Sequence, residues 1–335
     1  MNTRLNERRR RPLAGSLACC LLLGLQAMPS WAAEADAYPA KPVRWLLPVL
    51  PGGGGDIIAR ATAPRLSEAW GQPVIIDNRP GGGGTLGMGI AAKMAPDGYT
   101  MVLGVSSFVT VAPAVYPKLS YDPVKDFAPV TQILEAPLVI VTHPSLPVSN
   151  VQQLIALARK HPDALSYATP GNGSAPHLAT ELFKSLSKTR IMHVPYRGAP
   201  PAYMDLLGGQ VTLYFGTIPS AMSHLKSGRL RGLATTGPRR SPALPALPTV
   251  AESGLKDFIV TTWYGVMMPA GVSPSIVRRL HADITRVIRL PDLQDRFGAE
   301  GGEVVGSTPE QFGAFIAREI DTWKAVAREA RATVD

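Results

Sequence analysis

Two stretches of the chain carry four consecutive glycines each, Pro51-Gly52-Gly53-Gly54-Gly55 and Pro80-Gly81-Gly82-Gly83-Gly84. Such runs have no side chains to pack, so their use lies in backbone shape and in letting another group approach closely. Each copy follows an apolar run that reads as a strand and precedes a helical pattern. At the carboxyl end of a strand and the start of a helix, N–H groups converge and the helix dipole favours negative charge. Two matched loops from neighbouring strands would supply two donor walls at one end of a sheet, where open α/β sheets hold ligands. The alternative is a pair of tight strand-to-helix turns and nothing more; the matched positions favour binding. Asp56 follows the first loop, where an aspartate caps a helix well. Its other reading is a partner for a ligand ammonium.

A third loop, Thr169-Pro170-Gly171-Asn172-Gly173-Ser174, holds the equivalent place in the middle of the chain. Asn172 and Ser174 add side-chain hydrogen-bonding groups for a polar ligand. His177 follows at the start of a helix and either joins them or is satisfied by backbone. A fourth loop, Tyr196-Arg197-Gly198-Ala199-Pro200-Pro201, also enters a helix. Arg197 reads as a carboxylate clamp or as a solvated surface cation. Neither glycine run is followed by Lys-Ser or Lys-Thr, so nucleotide-phosphate chemistry lacks its cation and its magnesium hydroxyl. Gly87-x-Gly89-x-x-Ala92 loosely matches a dinucleotide fingerprint but falls inside a helix, and is read as chance. There is no Gly-x-Ser-x-Gly elbow and no His-Glu-x-x-His, and His143, His161, His177, His193, His224 and His281 lack metal spacing. No catalytic residue, metal or cofactor is expected. Triads assemble in space, so an enzyme acting on a carboxylated substrate stays as the alternative of a different class.

The elements that must place these loops alternate strand and helix. Val43 to Val49, Val74 to Asp77 and Tyr99 to Gly104 read as strands, separated by helices Ile57 to Trp70 and Leu86 to Met94. This order predicts a mostly parallel sheet covered on both faces. The middle repeats it, with strands at Pro137 to Thr142, Leu165 to Ala168, Ile191 to Pro195, Val211 to Phe215 and Leu230 to Thr236. Helices are expected at Val151 to Arg159, at His177 to Leu186 and from Pro200-Pro201 onward. The proline-rich run Gly237 to Pro248 is an extended surface connection. A strand at Val260 to Met268 and helices Ser275 to Arg289 and Pro309 to Ala330 follow. Thr308-Pro309-Glu310-Gln311 is a capping box with a first-turn proline. The chain is expected to cross between two lobes near residues 135–140 and again near 255–262, which concentrates closure in a few residues.

The N-terminus reads as an export leader. Arg4 and Arg8 to Arg11 form a basic region, Leu17 to Leu25 an apolar core, and Ser30, Ala32, Ala33 and Ala35 a small-residue end. The apolar core is shorter than the about 20 residues a membrane span needs. Cleavage is expected after Ala32, with Ala35 as second choice, and the twin-arginine and general routes both stay open. Cys19 and Cys20 lie in the leader with no lipobox before them. The 34 basic and 25 acidic residues give +9; without residues 1–32, which hold five arginines and one glutamate, 29 and 24 leave +5. A nucleic-acid reading weakens accordingly, while a mild preference for anions stays. Both cysteines leave with the leader, so the mature chain has no disulfide or thiolate chemistry. With 45% apolar and 18% charged residues it is a folded globular protein, large enough for two domains.

At the glycine loops the chain resembles the Bug family, periplasmic receptors related to tripartite tricarboxylate transporters. The resemblance is carried by Pro48-Val-Leu-Pro-Gly-Gly-Gly-Gly-Asp56-Ile-Ile-Ala-Arg60, by Asp77-Asn-Arg-Pro-Gly-Gly-Gly-Gly-Thr-Leu-Gly87 and by Ala95-Pro-Asp-Gly-Tyr99. It continues through Tyr121-Asp-Pro-Val-Lys-Asp-Phe-Ala-Pro129, His193-Val-Pro-Tyr196, Asp205-Leu-Leu-Gly-Gly-Gln-Val211 and Pro248-Thr-Val-Ala-Glu252. The resemblance implies a two-lobed, type II periplasmic-binding α/β fold. Each lobe is a mostly parallel sheet flanked by helices, with the ligand cleft between lobes. The expected division is 1–32 leader, 36–137 first part of lobe 1, 138–257 lobe 2 and 258–335 second part of lobe 1. A carboxylate would be held by backbone amides and bridging waters at Gly52 to Gly55 and Gly81 to Gly84. Asn172, Gly173 and Ser174 would face it from the other lobe, with Asp205 nearby. Leu50, Asp56, Thr85, Ser106, Ser107, His177, Tyr196 and Thr217 complete the candidate contacts.

The resemblance further implies an exported, periplasmic and monomeric receptor for a small carboxylate, read by permease subunits of a tripartite transporter or by a sensor kinase, with no nucleic-acid partner. Three departures bear on the ligand. Val49-Leu50 stands where an aromatic residue is usual. Val109 and Ala112 stand where His and Asn are common. Phe215-Gly216-Thr217 replaces a Phe-Asp-Asn-like sequence. Each removes a polar or aromatic handle, so a ligand less polar than a tricarboxylate is expected.

Overall fold

The computed structural model describes residues 38–330 apart from Glu300. The leader, with Cys19, Cys20 and the cleavage positions at Ala32 and Ala35, lies outside the described residues. In chain order the elements are β1 (Val43–Leu47), α1 (Gly54–Trp70), β2 (Val74–Asn78), α2 (Thr85–Ala91), β3 (Thr100–Val105), α3 (Ala112–Val115) and β4 (Phe127–Thr142). Then come α4 (Val151–Lys160), β5 (Ser166–Thr169), α5 (Ala175–Ser187), β6 (Met192–Pro195), α6 (Ala199–Leu207), β7 (Leu213–Thr217), α7 (Ile218–Lys226) and β8 (Arg231–Thr235). The chain ends through β9 (Thr261–Pro269), α8 (Pro274–Ile288), α9 (Pro291–Ala299), β10 (Glu303–Val304) and α10 (Pro309–Ala330). No helix among the described residues is long and apolar enough to cross a membrane.

The fold is the two-lobed α/β arrangement, but its sheets are mixed. In lobe 1, β2, β1 and β3 are parallel, and β9 runs antiparallel to β3. In lobe 2, β6, β5 and β7 are parallel, and β4 runs antiparallel to β7 and β8. The antiparallel strands are those that carry the chain between lobes. Phe127 to Pro137 of β4 pairs with β9, and Leu138 to Thr142 of the same strand pairs with β7 and β8. The sequence pattern exposes only the second half of β4. Pro129 and Pro137 interrupt the first half, since proline brings no ladder N–H. Register shifts at Pro129/Thr131 and Gln132/Leu134 absorb the irregularity.

Strand alternation sorts the packing. In β4, Leu138 and Ile140 join one apolar cluster of lobe 2 with Tyr167, Phe183 and Phe215. Val139 and Val141 join the other, with Tyr203 and Tyr214. Lobe 1 has its own core around Trp45, Leu103, Met267 and Phe312. The lobe 2 core also takes in Val111 and Val115, at the π-helical turn Ser107–Val111 and α3, and Trp323 and Ala327 of α10. Two segments that the expected division puts in lobe 1 therefore brace lobe 2. The capping box of α10 forms in both directions: Gln311 N–H donates to Thr308 Oγ1 (3.2 Å), and Thr308 N–H to Gln311 Oε1 (3.0 Å). α1 starts at Gly54, inside the glycine run, and continues through Pro64.

Candidate functional site

The first glycine run enters α1 through Gly53, an N-cap with no side chain to accept a hydrogen bond. The N–H groups of Gly54 and Gly55 then have no acceptor within the helix. Glycine is required here by crowding. A Cβ on Gly54 would lie 2.6 Å from Tyr264 Oη and 2.8 Å from Thr217 Oγ1, and one on Gly55 2.6 Å from Leu103. The second run has φ of +133°, +56°, +65° and +105° at Gly81 to Gly84, a path open only to glycine. At Gly84 a Cβ would also strike Phe108 at 2.1 Å.

Two helices of lobe 2 start at the same place. α6 begins after Gly198 and α7 after Thr217, and neither N-cap accepts a hydrogen bond through a side chain. α5 starts at Ser174, whose hydroxyl donates to Gly171 O (2.8 Å) and accepts from His177 N–H (3.3 Å). Ser107 Oγ accepts from Ala175 N–H (3.0 Å). The lobes meet closely: a Cβ on Gly83 would lie 3.1 Å from Asn172 O, and one on Gly198 2.6 Å from Leu50.

Between them is a cavity of about 100 Å³. Of the sequence candidates, Leu50, Gly53, Gly54, Gly55, Gly81, Gly83, Gly84, Ser107, Ser174 and Thr217 line it. Arg197, weighed as a clamp from its loop, also lines it. Among the described residues it is the only charged side chain on the wall and forms no ion pair. Phe108, Tyr214, Tyr264 and Thr262 line it as well and were not singled out from sequence. Period-2 alternation along β9 would have placed Thr262 and Tyr264 on one face. Tyr214 sits in a short buried strand that carries no such pattern.

The other candidates do not line the cavity. Gly52 N–H donates to Asp56 Oδ2 (2.9 Å), and the same carboxylate receives Arg60 Nε (2.9 Å) and Asn78 Nδ2 (3.0 Å). Burial opposes the Asp56 charge, but these bonds outweigh it and hold the carboxyl below its usual range. With its oxygens taken and 2% exposed, Asp56 locks the loop and is no partner for a ligand ammonium. Thr85 Oγ1 donates to Gly82 O (2.7 Å), and Ser106 Oγ bonds Thr262 Oγ1 (2.9 Å). The Asn172 carbonyl accepts from Tyr116 Oη (2.7 Å), and Gly173 N–H donates to His177 Nδ1 (3.1 Å). His177 stacks on His193 at 4.2 Å, and His193 on Tyr167 at 4.7 Å. Burial lowers the pKa of both imidazoles; His193, with His177 beside it, falls to about 4. Tyr196 Oη donates to Asp205 Oδ2 (2.6 Å), and burial followed by that carboxylate pushes the phenol up to about 12. Tyr196 and Asp205 thus satisfy each other. No group of His, Cys, Asp and Glu suited to a metal occurs among the described residues.

The arrangement binds negative charge. Three helix starts without side-chain caps and a glycine turn bring donors and positive dipole ends to one point, and the wall carries no carboxylate. The profile of the tripartite tricarboxylate transporter family receptor matches residues 58–331. BugT of Bordetella pertussis is 39% identical over 300 residues, 89% of this chain and 92% of that protein. A protein of R. palustris solved with adipate is 35% identical with a TM-score of 0.87, covering 89% of this chain and all of the other. MatC of Rhodopseudomonas palustris, solved with bound malate, is 31% identical with a TM-score of 0.82, covering 86% and 99%.

Proposed function

From the premise that this chain belongs to the tripartite tricarboxylate transporter receptor family, we propose that it captures one small carboxylate in the periplasm and presents it to the membrane subunits of such a transporter. The convergence of uncapped helix starts on a cavity whose only charged side chain is Arg197 carries this reading. One carboxylate of the ligand sits on the amides of Gly54, Gly55 and Gly83. Arg197 takes a second anionic or polar group at the mouth, and Phe108, Tyr214 and Tyr264 contact the body. The adipate and malate carried by two similar proteins, each with two carboxylates, support a dicarboxylate ligand. A tricarboxylate would leave one charge without a cation.

The division expected from the sequence, with lobe 2 at 138–257 between two parts of lobe 1, is supported by the change of partners along β4. Residues 1–32 are removed on export, and the mature chain acts as a monomer without chemistry of its own. The closed form is what the membrane partner reads, whether permease or sensor kinase.

The test is calorimetry and thermal shift of the mature protein, stripped of ligand by unfolding, against adipate, malate, citrate, benzoate and glutamate. A ligand at 100 times its Kd adds about 2.7 kcal/mol, a rise of several degrees in Tm. Binding of citrate in preference to the others would overturn the ligand class, and a flat panel would overturn the receptor reading. Mass spectrometry of the recovered ligand is expected to find it unchanged; a product would point to an enzyme. Arg197→Ala is expected to weaken binding about tenfold, the worth of one charge-assisted hydrogen bond.

A further inference from the structure

A second cavity, of about 410 Å³, lies behind the strands that pass between the lobes. Its place follows from alternation along β9: Thr262 lines the ligand cavity, and its neighbour Thr261, pointing to the opposite face, lines the second one. One wall is Glu135 and Pro137 of β4 with Glu303 of β10. The other is the segment 237–242 that follows β8 in lobe 2. The volume falls within the about 300–1,000 Å³ usual for small-molecule sites.

The polar groups on this wall are incompletely paired. Glu135 stands directly opposite Glu303 in the antiparallel β4–β10 pair, so two carboxylates are side by side, which is unfavourable without a cation between them. Arg239 crosses the cavity to Glu303, and Arg240 turns away to Glu252 (2.8 Å). Half-buried Glu135 receives only the Thr261 hydroxyl (2.8 Å) and forms no ion pair among the described residues. Its charge reaches Glu319: burial first, then Glu135, raises that carboxyl's pKa. Ser241, also on the wall, is 3% exposed and its hydroxyl has no partner among the described residues. A ligand bringing an N–H-bearing cation would complete both groups.

We propose that this cavity is a second ligand site, for a small organic molecule carrying a primary ammonium group that pairs with Glu135, and that its occupancy is coupled to closure of the cleft. The coupling follows from position. The two cavities lie on opposite faces of the same interlobe strands and each has walls on both lobes, so rotation that narrows one widens the other. An ammonium ligand therefore biases the lobe angle, and it and the cleft ligand alter each other's affinity by one common factor. The site itself does not depend on the carboxylate reading; the coupling does.

Putrescine is the probe, titrated into the mature protein by calorimetry at constant ionic strength. Saturable one-to-one binding is expected, weakened about tenfold or more in Glu135→Gln, the worth of a charge-assisted contact. Should that variant fold poorly, NMR of the wild-type chain decides: the amides of Gly237 and Gly301 are expected to shift most with putrescine, with smaller shifts at Gly54 and Gly83 as the lobe angle changes. No saturable binding at millimolar putrescine, or shifts confined to Gly54 and Gly83, would overturn the site. With a carboxylate bound in the cleft, putrescine affinity is expected to change about fivefold, with the reciprocal change in the carboxylate. Putrescine that shifts Gly237 and Gly301 but leaves carboxylate affinity untouched would sink the coupling alone. A flat carboxylate panel leaves the putrescine titration standing, so the two failures are distinguishable.

Discussion

A Cβ on Gly216 would sit 2.0 Å from the hydroxyl of Tyr203, a buried residue whose hydroxyl has no partner among the described residues. Tyr203 packs edge-on against Tyr214, which lines the ligand cavity, so the loss of a side chain at 216 is what lets this aromatic pair form behind the wall. Gly216→Ala is expected to cost about 1–3 kcal/mol by overpacking. In a Tyr203→Phe background the same change is expected to cost less, because the colliding atom is gone. Urea unfolding of the four proteins measures this, and strict additivity would refute it. Gly54 is the cross-lobe counterpart. A Cβ there meets Thr217 of lobe 2 and Tyr264 of β9 in its own lobe, so Gly54→Ala is expected to act on closure as well as on folding. Carboxylate affinity should fall about tenfold or more, with a stability cost of up to about 2 kcal/mol from the contact with Tyr264, offset in part because alanine itself favours a helix. Wild-type affinity in this variant would remove the start of α1 from the site.

Two elements carry titratable groups whose fit depends on pH. α10 holds Glu319 against β9 and the 107–111 turn, where it accepts from Trp263 Nε1 (2.5 Å) and Thr110 Oγ1 (2.8 Å). Burial, opposed by those bonds and reinforced by Glu135, raises its pKa. A carboxyl with a raised folded-state pKa stabilises most below the unfolded value of about 4.3, and that contribution is lost as pH rises through the folded one. Glu319→Gln is expected to lack this segment of the stability profile, and parallel wild-type and variant profiles would refute it. The β5–α5–β6 unit behaves in the opposite sense. His193 is stacked between His177 and Tyr167, bonds Thr169 Oγ1 (2.7 Å), and has its pKa lowered to about 4. Its contribution is complete above the unfolded value of about 6.5 and is lost as pH falls toward about 4. Since His177 Nδ1 must be unprotonated to accept from Gly173, the loop at 171–174 loosens with the stack. Denaturant unfolding between pH 7.5 and 4.5 is expected to show this loss in the wild type and less of it in His193→Gln.

On the scale of the whole molecule, β4 is the strand shared by the lobes and β9 begins where the chain re-enters lobe 1, with α10 and the 107–115 arm bracing lobe 2 from lobe 1. Closure is therefore expected to be a rotation about Pro137/Leu138 and the start of β9, with the arm and α10 sliding or bending in step. A closed chain of about 300 residues has a radius of gyration near 19 Å. Small-angle scattering is expected to find the ligand-free protein larger than that and contracting on ligand addition. A radius unchanged by saturating ligand would show that the cleft binds without moving.

Short-range patterns in the sequence determined most of the elements and the anion chemistry. Backbone shape and helix starts follow from local residue types, so the glycine runs, the loop at 171–174 and the capping box at Thr308 were legible from neighbours alone. The tertiary structure decided which of those groups face the cavity. Asp56, Tyr196, Asp205 and His177 are polar residues in the right loops, yet each is consumed by a partner behind the wall. Phe108, Tyr214 and Tyr264 read as ordinary core residues until the lobes bring them together. The same holds for the first half of β4, whose prolines hide a strand that only pairing with β9 maintains. A hydrogen bond or a wall contact between residues far apart in the chain depends on how two lobes meet, and that geometry has no signature in local spacing.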